Sequence, residues 1–446
     1  MMKECHLVVA PYPYVFSPVI RLTTGLDLEG RVLVLDEGHN VDQVGQEILS
    51  DTLTERGLSA AAEETRLIGR SPRFIERLGD HLLRTDSEKP RLVPAEALER
   101  DLELALGMSI GAFMDGHAPL VEAIRARKAK DGNPPVCSLN GLLGFLELLQ
   151  GSVKEKYVGV YTRSYYGAPV IEYRCLDPSL AVAPVVAAAH GVLVMSGTLS
   201  PLDTFAEIIG LGEAEKRAYP SIQRSERIRM VVDASVTTQY RDRSDEMIAR
   251  VGGAVEAALG DVRQGALIFF TQRGFMSRCL DVWADKRIVR GHGGRLLLAG
   301  KQLFREGNDA QQNRDVVARY KRMAVSVGGA VLCCVFRGRN SEGSNFPGDQ
   351  AQSIILVGVP YANYGDPLVR AQIGYYNRLS GGLGDRWYKM DAYRAANQSL
   401  GRGVRGRDDW CHYLLLDRRY ADNLGLLSRW AQGAGAEVRA ATQQTF

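Results

Sequence analysis

The chain has 446 residues, 45% of them hydrophobic and 24% charged, with a formal net charge of +3; that is enough for two or three domains with real cores, and too little net charge to demand or exclude nucleic acid. No apolar run reaches the ~20 residues of a membrane span, and the start, Met1 to His6, with Glu4 and then Pro11 and Pro13 behind it, is not a secretory signal, so no membrane partner is expected. Seven scattered cysteines without a C-x-x-C spacing indicate neither a zinc site nor a disulfide framework and suit a reducing compartment, with a cytoplasmic or nucleoid-associated location expected.

Taken in chain order, a strand is expected over Leu7 to Ala10 and a buried parallel strand over Arg31 to Leu35, bounded by Gly30 and Asp36. Residues 51 to about 150 then change character. Helical spacing over Ala61 to Leu83, Pro94 to Met114, Ala118 to Ala129 and Leu139 to Leu149 predicts an all-α unit. From Tyr157 to Arg174 the period becomes two, with a turn at Gly167-Ala168-Pro169. Its tyrosines and Arg163 suit stacked bases, although an ordinary amphipathic hairpin has the same composition. Gly191 to Met195 reads as another buried strand, and Ser221 to Arg229 as a polar link. Beyond it, strands over Ala266 to Phe270, Arg295 to Leu298, Ala330 to Phe336, Ser353 to Val359 and Cys411 to Leu416 alternate with helices, which implies a mostly parallel sheet covered on both faces.

Five segments carry chemistry. Val32 to Leu35 runs into Asp36-Glu37-Gly38-His39. At the C-terminal end of a parallel strand, Asp36 is placed to hold Mg²⁺ through water, Glu37 to bind or to orient and deprotonate an attacking water, and His39 to sense a nucleotide; a polar turn capping the next helix is the plainer alternative. Ser196 and Thr198 in Ser196-Gly197-Thr198 offer hydroxyls at the same crevice after the strand at 191 to 195 and are expected as coupling residues, although Ser200-Pro201 also suits a plain helix start. Phe270 ends an aromatic strand, where a base contact competes with core packing. In the loop Phe336 to Phe346, Arg337, Arg339 and Ser341 suit a phosphodiester backbone, and Gly343 and Asn345 a nucleotide. Finally, Gln398-Ser399-Leu400-Gly401-Arg402-Gly403-Val404-Arg405 places Gln398, Arg402 and Arg405 where planar donors would meet a terminal phosphate, with the two arginines as the catalytic pair.

In that order and spacing the segments resemble the XPD-type, DEAH-box superfamily-two DNA helicases. Asp36 to His39 resembles the DEAH box with Gly38 in place of alanine. Val194 to Asp203 resembles S-G-T-L-S-P-L-D, Phe336 to Phe346 resembles R-G-[KR]-x-S-E-G-x-[DN]-F, and Gln398 to Arg405 resembles the Q-x-x-G-R-x-x-R segment; Leu176 to Ser179 and Leu416 to Tyr420 fit as well. The resemblance implies an α/β fold with two RecA-like parallel-sheet domains closing on ATP. The first is expected over 1–50 and 175–224, with a helical Arch-like insertion over 51–174, and the second over 225–446. It implies ATP and Mg²⁺ as cofactors, single-stranded or forked DNA as partner, and 5′-to-3′ unwinding in DNA repair or related processes. The family also carries a G-x-x-x-x-G-K-[ST] loop and four iron–sulfur cysteines ahead of the DEAH box. Neither occurs in the 35 residues before Asp36, where Gly25 to Val32 has the glycine spacing but Arg31-Val32 at its end. A chain of this kind is expected to need an N-terminal portion, separately encoded or missing, and to be inactive without it. A non-catalytic nucleic-acid-binding scaffold and a DEAH-type RNA helicase are the alternative readings.

Overall fold

The computed structural model describes residues 5–85, 89–219, 225–404, 406 and 409–439. The chain forms two compact units: residues 1–196, 205–214 and 363–385 make the first, and residues 197–204, 215–362 and 386–446 the second.

The first unit holds β1 (Val32–Leu35), β2 (Asp51–Thr54), β3 (Arg91–Pro94), β4 (Tyr157–Arg163), β5 (Pro169–Cys175) and β6 (Gly191–Val194). β1 and β6 pair in parallel, with Leu35 opposite Val194, as a sheet of two. Alternation puts Val32 and Val34 on one face, and both are more than half exposed, as is Leu193. Leu7 to Ala10 is not a strand: among the described residues no strand pairs with it, and Leu7 and Val9 lie open to solvent at 80% and 90%.

The insertion is not all-α. Its helices Glu55–Leu67, Arg73–Arg84, Ala95–Leu106, Ile110–Lys130 and Ser138–Gly151 bury Leu58, Ile75, Leu98, Phe113 and Leu146 in one core. Thr54 and Ser109 cap two of them through the amides of Gly57 and Ala112. Beside the helices runs a four-stranded antiparallel sheet in the order β2-β5-β4-β3. The hairpin β4–β5 turns where expected, but Tyr157, Tyr161 and Tyr173 face the core, Tyr157 stacking on Tyr173 at 4.8 Å. Only Tyr165 and Tyr166 at its tip stand in solvent.

The second unit is built on nine strands: β7 (Ile228–Asp233), β8 (Ala266–Phe270), β9 (Val289–His292), β10 (Arg295–Leu298), β11 (Lys301–Arg305), β12 (Ala330–Val335), β13 (Ser353–Val357), β14 (Cys411–Leu416) and β15 (Glu437–Arg439). Their order is β15-β7-β14-β13-β8-β12-β11-β10-β9; the first seven run parallel, and the pairings β11–β10 and β10–β9 are antiparallel. Helices cover both faces. Phe269, Leu332 and Ile354 pack on one side, and Phe270, Val331 and Ile355 on the other, which is why these strands are continuous apolar runs. β7 begins at the end of the stretch read as a polar link, at Ile228, and runs on to Asp233, where no strand was expected. The helix Pro367–Leu379 follows β13 but belongs to the first unit, so the second domain does not occupy 225–446 without interruption.

Candidate active site

In the first unit the acidic turn follows β1, and Ser196 lies two residues beyond the end of β6, the adjacent parallel strand. Glu37 adopts φ 51°, a left-handed conformation uncommon outside glycine and one that stores ~1–3 kcal/mol of strain. The turn is pinned by the Gly38 amide, which donates to the Met195 carbonyl at 2.9 Å. A Cβ on residue 38 would lie 2.3 Å from Val194 Cγ1, which accounts for glycine at this place in the motif.

The turn brings three of the expected residues together. Ser196 Oγ donates to Glu37 Oε2 at 3.1 Å and lies 2.8 Å from His39 Nδ1, itself 3.3 Å from Glu37 Oε2. His39 is buried, whereas the Glu37 carboxylate is 68% exposed. Tyr12 donates its phenol hydrogen to the Asp36 carbonyl. Burial, with the charges of Asp36 and Glu37, pushes that phenol up to about 12, so it remains a donor. Asp36 accepts the Glu37 amide at 3.0 Å on one carboxylate oxygen and is exposed. Adjacent hard oxygen donors of this kind fit Mg²⁺, which takes one or two carboxylates and completes its shell with water and phosphate. Thr198 is half-buried and falls with the second unit.

The second unit carries the remaining residues, and several take roles other than those expected. Arg337, at φ 58°, turns back from the end of β12 to meet Asp391, with Nη2–Oδ2 at 2.6 Å and Nη1–Oδ1 at 3.1 Å. It also donates to the Pro360 and Asp391 carbonyls. Ser341 is not a free backbone contact: it is fully buried and its hydroxyl donates to the Gly338 carbonyl at 2.8 Å. Arg339 is exposed, with one long 3.5 Å bond to the Asn308 carbonyl. Phe270 faces no solvent and hence no base; it packs against Phe275 and Trp283. Gly343 and Asn345 are exposed.

Gln398 is half-buried in the last turn of the helix Leu383–Leu400. Beyond it, Arg402 donates from Nε to the Ser341 carbonyl at 2.7 Å and from Nη1 to the Ser344 carbonyl at 3.0 Å, joining this segment to the loop after β12. Gly403 allows the turn to lie on β14, since a Cβ there would sit 2.6 Å from Cys411 Sγ and Tyr413 Oη. Arg405 lies outside the described residues.

A polar network in the same unit lies outside the sequence expectations. Glu306, buried after β11, pairs with Arg273 at 2.8 Å, and Asn340 Nδ2 reaches Glu306 Oε2 at 3.4 Å. Asn340 and Asn313 exchange side-chain bonds at 3.0 and 3.1 Å. Burial raises the Glu306 carboxyl against the opposing pull of Arg273. The signal available in sequence was positional: Arg273, Glu306 and Asn340 each follow a parallel strand closely, where ligand crevices form.

The cysteines do not fit a cluster site. Among the described residues no three cysteine, histidine or carboxylate side chains gather where they could hold a metal, and Cys333 and Cys334 point to opposite faces of β12.

The sequence family described as "Helicase C-terminal domain" matches residues 256–433, and the one described as DEAD_2 matches residues 1–58. The chain is 25% identical to "ATP-dependent DNA helicase chl1" of Neosartorya fischeri, over 96% of this chain and 57% of that protein. It is 23% identical to "General transcription and DNA repair factor IIH helicase subunit XPD" of Dictyostelium discoideum, over 96% of this chain and 64% of that one. The chain thus spans about three fifths of the length of these relatives. Among solved structures it superposes on "Structure of S. tokodaii Xpd4" with a TM-score of 0.65 at 18% identity, covering 98% of this chain and 83% of that chain. On "XPD_APO" the TM-score is 0.60 at 19% identity, covering 96% and 81%.

Proposed function

We propose that this chain, a relative of the XPD-type superfamily-two DNA helicases, supplies the hydrolysing and strand-gripping residues of an ATP-driven motor. Its substrates are ATP and single-stranded or forked DNA, and its movement is 5′ to 3′, in DNA repair or a related process. The observation that carries the reading is the Glu37–Ser196–His39 triangle. A carboxylate that activates water sits in hydrogen-bond contact with the Ser196-Gly197-Thr198 segment, the kind of linkage that lets the state of a nucleotide alter a strand-binding path.

The residues divide the chemistry. Asp36 would hold Mg²⁺, which supplies charge neutralisation on the phosphates. Glu37 accepts the proton of the attacking water, and its exposed carboxylate is open to it. Arg402 provides the guanidinium that stabilises charge on the transferring phosphoryl group; its two carbonyl partners hold it against the loop that carries Gly343 and Asn345. Arg339, exposed on that loop, is the nucleic-acid contact. Sequence-independent affinity then falls steeply with salt.

The test is hydrolysis and strand displacement by the protein purified from its own cells, on forked substrates with either a 5′ or a 3′ tail. ATP turnover stimulated by single-stranded DNA, with displacement from the 5′ tail, is the expected result when the preparation includes the N-terminal portion that carries a G-x-x-x-x-G-K-[ST] loop. Stimulation by RNA alone would make it an RNA helicase. Tight strand binding without turnover would make it a scaffold. Either outcome overturns the proposal.

A further inference from the structure

The strongest unassigned feature is a groove at the antiparallel edge of the nine-stranded sheet. β9 and β10 form a hairpin in which His292 faces Arg295 across a two-residue turn. Gly293 and Gly294 both have positive φ there, 54° and 73°, the signature of a type I′ turn. The helix Ala310–Ala324 returns along β11 on one side. Between hairpin and helix lies a cavity of about 610 Å³, within the ~300–1,000 Å³ typical of ligand pockets.

Its lining is unusual in charge. Arg295, Arg305, Arg319 and Arg322 all border it, all are exposed, and no aspartate or glutamate does. Arg305 donates to Ser277 Oγ at 2.7 Å. Among the described residues, the guanidiniums of Arg295, Arg319 and Arg322 have no ion pair or side-chain hydrogen bond; Arg319 lies 5.9 Å over the Phe304 ring. Like charges gathered without counter-charges cost the fold free energy, so the arrangement suits a polyanion that neutralises them. The floor is apolar, built from Leu296, Phe304, Val316 and Met323. A surface that alternates guanidinium forks with apolar patches fits a polymer that alternates phosphate and base better than an acidic peptide, which offers only carboxylates.

We infer that this groove is a second, sequence-neutral seat for single-stranded nucleic acid. It is separate from the loop bearing Arg339, with Arg295 and Arg322 contacting phosphates. The inference rests on the motor reading only in taking the polyanion to be a nucleic-acid strand.

The experiment is fluorescence anisotropy of a labelled oligodeoxynucleotide titrated with the 446-residue protein across a range of KCl concentrations. Each phosphate contact on a single strand contributes a slope of about −0.7 in log K against log salt. The double variant Arg295→Ala/Arg322→Ala should therefore flatten the slope by about 1.4, equivalent to about 25-fold weaker binding at 0.1 M salt if the curves meet at 1 M. Arg295→Lys/Arg322→Lys should keep the wild-type slope, which a merely structural effect of the arginines would not predict. An unchanged slope in the alanine variant overturns the groove. If Arg339→Ala flattens the slope while the groove variant does not, the motor reading stands and this one falls; if the wild type binds no strand at all, both fall. A poly-glutamate peptide held by the wild type and lost in the groove variant, with strand binding equal in the two, would assign the groove to an acidic protein and equally overturn it.

Discussion

Arg337 and Asp391 form a two-pronged ion pair at 2.6 and 3.1 Å, and the Asp391 carboxylate is 8% exposed. Removing the arginine would leave that carboxylate buried and unpaired. Arg337→Ala is therefore expected to lower the stability of the second unit by about 2 kcal/mol, and Arg337→Lys by less, since one prong survives. Denaturant unfolding measures it. Unchanged stability with weakened strand binding would return Arg337 to the nucleic acid.

The role of Glu37 separates binding from chemistry. In a protein that carries a G-x-x-x-x-G-K-[ST] loop, Glu37→Gln should abolish ATP hydrolysis while leaving nucleotide binding intact, because the amide keeps the shape and loses the basicity. The 446-residue chain contains no such loop, and a cradle of amides with a lysine is what the β- and γ-phosphates require. By itself it should release no phosphate above background at saturating ATP, Mg²⁺ and single-stranded DNA. Steady turnover by this chain would show that a different segment serves the phosphates.

Gly38 tests the packing of the acidic turn. Gly38→Ala, which would restore the alanine of the related motif, pushes a methyl group to within 2.3 Å of Val194 Cγ1. The expected cost is about 1–3 kcal/mol of overpacking. Adding Val194→Ala should recover a good part of it, and absence of that rescue in thermal melts would disprove the clash.

The carboxylate of Asp417 gives the second unit an acid-sensitive point. It is fully buried; it accepts the Thr238 amide and hydroxyl at 2.8 and 2.9 Å and Arg419 Nη2 at 2.7 Å. Burial by itself would raise its pKa, but the Arg419 bonds and charge together with the amides outweigh that and hold it below the usual carboxylate range. A depressed folded-state pKa contributes stability that is complete above the unfolded-state value of about 3.9 and is lost as pH falls through the folded value below it. Asp417→Asn should lower stability at pH 7 and flatten the acid limb of the stability curve. An acid limb identical to wild type would remove Asp417 from the account.

The sequence made some of this legible for clear reasons. β8, β12, β13 and β14 are buried on both faces, so they appear as unbroken apolar runs. The same property misled at Phe270: with both faces covered, the end of the strand gives no sign of which aromatic meets solvent, and neither does. β9 and β11 escaped notice because Arg290, His292, Lys301 and Gln302 interrupt their apolar pattern, and β15 because Glu437-Val438-Arg439 is an exposed edge. β2 and β3 are four residues each, too short for a period to show against flanking helices. Ser341 and Arg337 read as ligand contacts because their residue types suit phosphate; that one is capped inward and the other tied to Asp391, 54 residues on, is a tertiary fact. The triangle at Glu37 was foreshadowed only as three separate residues, since Ser196 reaches the turn through β1–β6 pairing.

One consequence of the antiparallel sheet in the insertion concerns its boundaries. The chain enters through β2 and leaves through β5, and these two are hydrogen-bonded neighbours, with Asp51 opposite Tyr173. Entry and exit therefore coincide in space. Whatever is threaded between them, helices added or removed, can change size without prising apart the segments that flank it, because the joint is closed by its own ladder. The insertion behaves as a cassette hung from a single hinge plate. A change in its contents therefore need not alter the geometry of the acidic turn that precedes β2.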